Sequence, residues 1–186
     1  KEKKHAAPAA RHNTAFFSFL AYWKQSTPAY RKLVTGLLLF TLVNSSDVFL
    51  LMKAKQSGLS NTLVIGVYIF YNLIYAIFAF PVGIIADKLG LKKIFLSGLI
   101  LFAIVYLGMS VNTSLAGFLV IFLLYGIYAA ATEGISKAWI SNISLKKDLA
   151  TAIGTYTGLQ SICTMLASSL AGLLWYQLGD SAAFII

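Results

Sequence analysis

Long apolar runs separated by short polar breaks set the pattern of this chain, and the length of the runs decides which elements they form. Five stand out, at residues 33–52, 61–86, 94–111, 115–140 and 150–175. Each is close to the ~20 residues a helix needs to cross a hydrocarbon layer ~30 Å thick. The pattern therefore predicts an all-α, polytopic bundle of five membrane-spanning helices over residues 33–186. Residues 1–32 read differently, as a basic linker carrying both histidines, His5 and His12. Within it Phe16, Phe19, Leu20 and Trp23 fall on one helical face. That spacing fits a short helix lying in the lipid interface as well as it fits a disordered tether. Pro28 is expected to close the linker, and Arg31 and Lys32 to mark the membrane edge.

Composition sharpens the picture. Hydrophobic residues make up 59% of the chain and charged ones 11%, against about 25% charged in an ordinary soluble domain. The net charge of +9 would suit a nucleic-acid binder, but the bases sit in the tail and in loops between apolar runs, which argues against nucleic acid as a partner. Cys163 is alone, so an intrachain disulfide is excluded. The spans hold no histidine and no nucleophile–base set, so a membrane-embedded enzyme lacks its site, and no metal or cofactor is expected. A phosphate-binding loop is also missing, which leaves direct ATP drive without support. The chain ends on the apolar AAFII, where a further span would begin, so a piece of a longer protein is expected.

The polar residues inside the spans are the candidate chemistry. The first span is interrupted by Asn44, Ser45, Ser46 and Asp47. An aspartate at helix centre costs about 2.5–3.5 kcal/mol on insertion. Such a residue faces a water-filled cavity or a polar partner, or else sits shallow and hydrated. Asn44 and Asp47, three apart, are expected to share a face. In the second span, YIFYNLIY places Tyr68, Asn72 and Tyr75 on one stripe with Tyr71 beside it. Asn72 and Asn44 are at similar depth, so they can bond each other or a ligand; helix–helix glue is the plainer role for Asn72. The third span is plain and reads as lipid-facing. In the fourth, Glu133 and Lys137 lie four apart with the acid first, the favourable order for a helical ion pair. They fit either a solvated pair at the inner interface or a polar gate. The fifth carries Gly154 and Gly158 as a GxxxG pair, extended by Ser161, Thr164, Ser168 and Gly172 into a small-residue packing surface.

Between the second and third spans, residues 81–93 read PVGIIADKLGLKK, the composition of a tight polar loop. Gly83 would let helices approach closely. Asp87 would accept hydrogen bonds from a helix N-terminus, and Gly90 would permit a left-handed turn. Lys88, Lys92 and Lys93 would hold the loop at the cytoplasmic surface. With NSSDVFLLMKA and YGIYAAATEGISKAW, this stretch resembles the major facilitator superfamily, whose signature loop follows the second or eighth helix. The resemblance implies a secondary transporter working by alternating access, with a small-molecule substrate and a proton as partners. The chain would form the seventh to eleventh helices of twelve, residues 1–32 linking the halves and an N-terminal half being the missing partner. Asp47, Asn44, Glu133 and Lys137 become substrate and proton-coupling candidates, because the first helix of each repeat lines the cavity in that family and these sit on the first and fourth spans; Asn72 and Tyr71, on the polar stretch of the second span, are added to them. A non-transporting scaffold or receptor on the same fold is the alternative.

Charge sets the orientation. Twelve of the lysines and arginines fall in the tail, the Asp87 loop and the Asp148 loop, against Lys53 and Lys55 on the other side. The positive-inside rule puts the tail in the cytoplasm, and the resemblance implies a bacterial inner membrane. The first and fourth spans enter from opposite sides and both carry polar residues in their second halves, as inverted repeats would. Asp47 and Lys137 would then differ in depth by roughly 20 Å, leaving Glu133 as the partner of Lys137. In a Cys163-free background, Lys92→Cys and Lys146→Cys should react with a membrane-impermeant maleimide from the cytoplasmic side, and Asn112→Cys from the opposite side. Reaction of all three from one face would refute the five-span topology.

Overall fold

The computed structural model describes residues 18–44, 46–112, 114–179 and 184. Residues 1–17 and the rest of the AAFII end lie outside them, as do Ser45, Thr113 and the side chains of Phe19 and Leu20. Among the described residues seven α-helices follow in order: α1 (Ser18–Gln25), α2 (Pro28–Val43), α3 (Val48–Gln56), α4 (Asn61–Leu89), α5 (Leu91–Val111), α6 (Leu115–Ile143) and α7 (Leu149–Leu178). Joined end to end, α2 and α3 make one candidate membrane span, and α4 to α7 supply four more. The 29 residues of α4 extend about 43 Å, so it must tilt or project beyond a ~30 Å layer.

Three local expectations are corrected. The first span is not one helix, since Asn44 leaves helical geometry at ψ 98° and α3 starts afresh at Val48. Asn, Ser and Asp compete for backbone hydrogen bonds with their own side chains and so favour helix ends. Pro28 opens a helix rather than closing the linker. It stands in the first turn of α2, where its missing N–H costs nothing, and Thr27 caps the turn by accepting from the Tyr30 N–H at 3.2 Å. The polar loop over residues 81–93 shrinks to a single residue, because α4 runs through Pro81 to Leu89 and α5 begins at Leu91. Gly90 makes the turn at φ 96°, a conformation that strongly favours glycine. Asp87 and Lys88 therefore belong to the last turns of α4, and Asp87 is exposed with no side-chain hydrogen bond among the described residues.

At the centre is α6, the most buried of the spans. Both α4 and α5 pack along it, while α1 and α2 pack against α7. The outer faces are apolar and open, with Ile69, Leu73, Ile77 and Phe80 on α4 and Ile100, Ile104 and Leu107 on α5. These suit lipid tails, and α5 shows the one-sided burial expected of a peripheral span. At the end holding the tail, the Tyr30 hydroxyl donates to the Ala152 carbonyl at 2.7 Å, and Tyr22 and Trp23 of α1 meet the Tyr30 ring edge-on. The α1 helix is thereby tied to the bundle.

Close helix approach occurs where the sequence did not advertise it. A Cβ at Gly126 of α6 would lie 2.8 Å from Ile74 Cβ and 2.9 Å from the Tyr71 carbonyl oxygen of α4. By contrast, Cβ atoms at Gly83, Gly154 and Gly158 would meet nothing within 4 Å, so neither the signature stretch nor the GxxxG pair makes a tight helix contact among the described residues. Gly126→Ala should force α4 and α6 apart and cost about 1–3 kcal/mol. Gly134→Ala on the same helix meets open space and should be neutral or slightly stabilising, by up to about 1 kcal/mol. Thermal unfolding of the two variants in detergent checks this, and equal midpoints would show that the close approach carries no stability.

Candidate functional site

The break between α2 and α3 builds the site. Asn44 caps the end of α2 and Asp47 stands at the start of α3. An aspartate there usually accepts from the backbone N–H groups of the first turn. Asp47 makes no such cap. Its Oδ1 accepts from the Tyr125 hydroxyl of α6 at 2.5 Å and its Oδ2 from the Tyr71 hydroxyl of α4 at 3.1 Å. Asn44 is held in the same manner. Its Nδ2 donates to the Tyr128 hydroxyl at 2.9 Å, and its Oδ1 accepts from the Tyr106 hydroxyl of α5 at 3.3 Å. Four tyrosines on three helices thus satisfy the polar residues that break the first span. Their rings form a packed layer, with Tyr125 5.1 Å from Tyr71 and 5.3 Å from Tyr128 between centroids. All four are buried, Tyr125 to 2% exposure.

Below this layer opens a cavity of about 530 Å³. Its wall carries Asp47, Glu133 and Lys137 together, with Tyr68, Tyr125, Tyr128, Gln160 and Thr164. No ion pair joins Asp47 and Lys137, although both line this cavity. The expected Glu133–Lys137 ion pair does not close either. Both side chains are exposed on the same wall, with no ion pair between them. Three of the hydroxyls on this wall are turned back to their own helices. Thr41 donates to Leu37, Thr132 to Tyr128 and Ser136 to Glu133 carbonyls.

The sequence profile of the Major Facilitator Superfamily matches residues 33–186. The chain belongs to the major facilitator superfamily. It is an integral membrane protein of a family of transporters, not of enzymes. Among curated proteins it is similar to an uncharacterized MFS-type transporter of Methanocaldococcus jannaschii, 35% identical over 143 residues, a match that covers 74% of this chain and 36% of that protein. The chain thus spans a little over a third of the length of this relative. No solved structure matches it.

This major facilitator chain brings some of the sequence candidates together and not others. Asp47, Asn44 and Tyr71 belong to one hydrogen-bonded cluster, and Glu133 and Lys137 share the cavity with Asp47. Asn72 does not join them. Its Nδ2 donates to the Tyr68 carbonyl of its own helix at 2.8 Å, and Asn44 bonds to tyrosines instead. Asn44 and Asp47 also do not share a helical face, because the helix ends between them. Gly83, Asp87, Lys88, Gly90, Lys92 and Lys93 lie away from the cavity. The sequence reading missed Tyr106, Tyr125, Tyr128, Gln160 and Thr164 as site residues. Helical spacing of 125, 128, 132 and 136 on the fourth span was a usable signal for two of them. Nothing local marked Tyr106, which lies in the plainest span.

Tyr125→Phe removes the shorter hydrogen bond to a carboxylate and should lower stability by about 1–3 kcal/mol, since the acid is left partly unsatisfied. Tyr68→Phe, whose hydroxyl makes no described hydrogen bond, should change stability by less than about 0.5 kcal/mol. Chemical or thermal unfolding in detergent distinguishes the two, and an unaffected Tyr125→Phe protein would show that Asp47 does not depend on its tyrosines.

Proposed function

We propose that this chain is part of a secondary active transporter that moves a small solute by alternating access, with Asp47 as its proton-coupling residue. The observation that carries the proposal is the position of Asp47, at a break in a span, on the wall of a cavity, with both oxygens facing tyrosine hydroxyls. A carboxylate inside a membrane bundle is costly and marks a substrate or proton path. Broken helices that line a cavity near the midplane are where transporters place such sites. Membership of the superfamily supports transport as the activity.

In this reading the chain supplies the seventh to eleventh helices of twelve. A missing N-terminal half would close the open side of the cavity and rock against this one to expose it to each face in turn. The charge asymmetry supports a cytoplasmic tail, and an inner-membrane location is part of the same reading. Exposed Asp87, with Lys88, Lys92 and Lys93 nearby, would bias the rocking motion by docking at a helix end of the other half. Asn44 and Tyr71 would fix the break that carries Asp47, and Glu133 with Lys137 would extend the polar path inward.

The test uses the full-length protein in proteoliposomes, with a lumenal pH dye and solutes of each charge class presented in turn under a proton gradient. Asp47→Asn keeps the shape and one acceptor oxygen but cannot carry a proton. It should abolish accumulation against a gradient while exchange of solute across the membrane survives. Normal accumulation by Asp47→Asn would exclude this residue as the coupling site, and absence of flux for every class would favour a scaffold on the same fold.

A further inference from the structure

The break between α2 and α3 is held on its two sides by hydrogen bonds of different chemistry. Before it, Asn44 is fixed by Tyr128 and Tyr106, and every group there is neutral. After it, Asp47 is fixed by Tyr125 at 2.5 Å and by Tyr71 at 3.1 Å. The first anchor keeps its donors and acceptors whether or not Asp47 carries a proton. The second does not. An ionised carboxylate only accepts, so both tyrosines can donate to it. A protonated one has a hydrogen on one oxygen, and the hydroxyl facing that oxygen must turn its own hydrogen away. The charge that strengthens both bonds is lost at the same time. Oδ1 has the shorter bond, so a proton arriving from the cavity settles on Oδ2, where it displaces the longer bond, from Tyr71.

Tyr71 is poorly placed to follow the carboxyl group. Its ring is buried, and its backbone lies where α4 comes closest to α6, its carbonyl oxygen 2.9 Å from the place of a Cβ on Gly126. The start of α3 has more freedom. Asn44 has left helical geometry, so the backbone between it and Val48 can hinge. Further along α3, Leu50 and Ala54 pack in the core and the Phe49 ring centroid lies 5.7 Å from that of Trp175, contacts that have no fixed direction. From this we infer that Tyr71 is a positioning residue that reads the charge of Asp47. It clamps the start of α3 to α4 while Asp47 is ionised and releases it when Asp47 takes up a proton, with Asn44 as the fixed pivot. This rests on the reading of Asp47 as the coupling residue and adds the step by which its proton moves a helix. The other titratable or charged groups around Asp47 are Tyr68 on α4, Tyr106 on α5, Tyr125, Tyr128, Glu133 and Lys137 on α6, and Tyr156 on α7. Its own helix carries Lys53 and Lys55. Phenols and ammonium groups ordinarily titrate at about pH 10, so between about pH 4 and 8 Glu133 is the member of this set that can change charge alongside Asp47.

Spin labels on Met52→Cys of α3 and Ile69→Cys of α4, both exposed positions, report the separation of the two helices in the full-length, otherwise cysteine-free protein in lipid nanodiscs. Electron paramagnetic resonance should show two separations whose population ratio changes about tenfold or more between about pH 8 and 4, as for the loss of a charge-assisted hydrogen bond. Tyr71→Phe should hold the released separation at both pH values. So should Asp47→Asn, because Tyr125 keeps its oxygen and its NH₂ group faces Tyr71 as the acid O–H would. The shift should persist in Glu133→Gln, which removes the other carboxyl group. A shift that persists in Tyr71→Phe would overturn the clamp and leave Asp47 standing as the coupling residue. A shift that vanishes in Glu133→Gln, or a wild-type separation that ignores pH, would overturn it as well. Should Tyr71→Phe not fold, Asp47→Asn decides, and a pH-dependent separation in that variant sinks the clamp. Failure of the underlying reading shows separately, as normal solute accumulation by Asp47→Asn.

Discussion

The structure depends on one solution to one problem, which is how to place a broken helix and a carboxylate inside an apolar bundle. Where water is absent, every freed backbone group and every charge needs a partner from the protein. Here the partners are tyrosine hydroxyls. Tyr125 and Tyr71 serve the Asp47 oxygens, while Tyr128 and Tyr106 serve Asn44. Tyrosine suits this task because its ring packs as an apolar side chain and only its tip is polar. The aromatic layer can therefore be buried in the bundle and still present hydroxyls to the break. It also ties α4, α5 and α6 to the α2–α3 span, so these four spans are held in register by one cluster.

The central position of α6 follows from the same arrangement. It carries Tyr125 and Tyr128 to the break and Glu133 and Lys137 to the cavity. Gly126, between the two tyrosines, lets α4 come close enough for Tyr71 to reach Asp47 from the other side. Close packing and the hydrogen-bonded cluster are thus one feature. The contacts are stronger than lipid alone would provide, because helix association in a bilayer relies on packing and hydrogen bonds rather than on hydrophobic burial. The charges further along α6 are left unpaired by comparison.

The sequence by itself determined the class and most of the layout. Run lengths of about 20 apolar residues can hardly be read otherwise than as membrane spans, and the PVGIIADKLGLKK stretch with its neighbours pointed to the major facilitator superfamily. Asp47, Glu133 and Lys137 were legible for a plain reason, as a charge inside an apolar run is costly and conspicuous. What the sequence could not give was the company these residues keep. Tyrosine in an apolar helix reads as packing, and whether its hydroxyl meets a carboxylate depends on the rotation and closeness of another helix. Tyr106 came from the span that looked least interesting for that reason. The same holds for Glu133 and Lys137, whose spacing satisfies the rule for a pair although no ion pair closes between them. Local patterns fix what each helix is. Only the tertiary structure decided which hydroxyls reach Asp47 and that the first span breaks over it, because those outcomes depend on distances between helices that no single segment encodes.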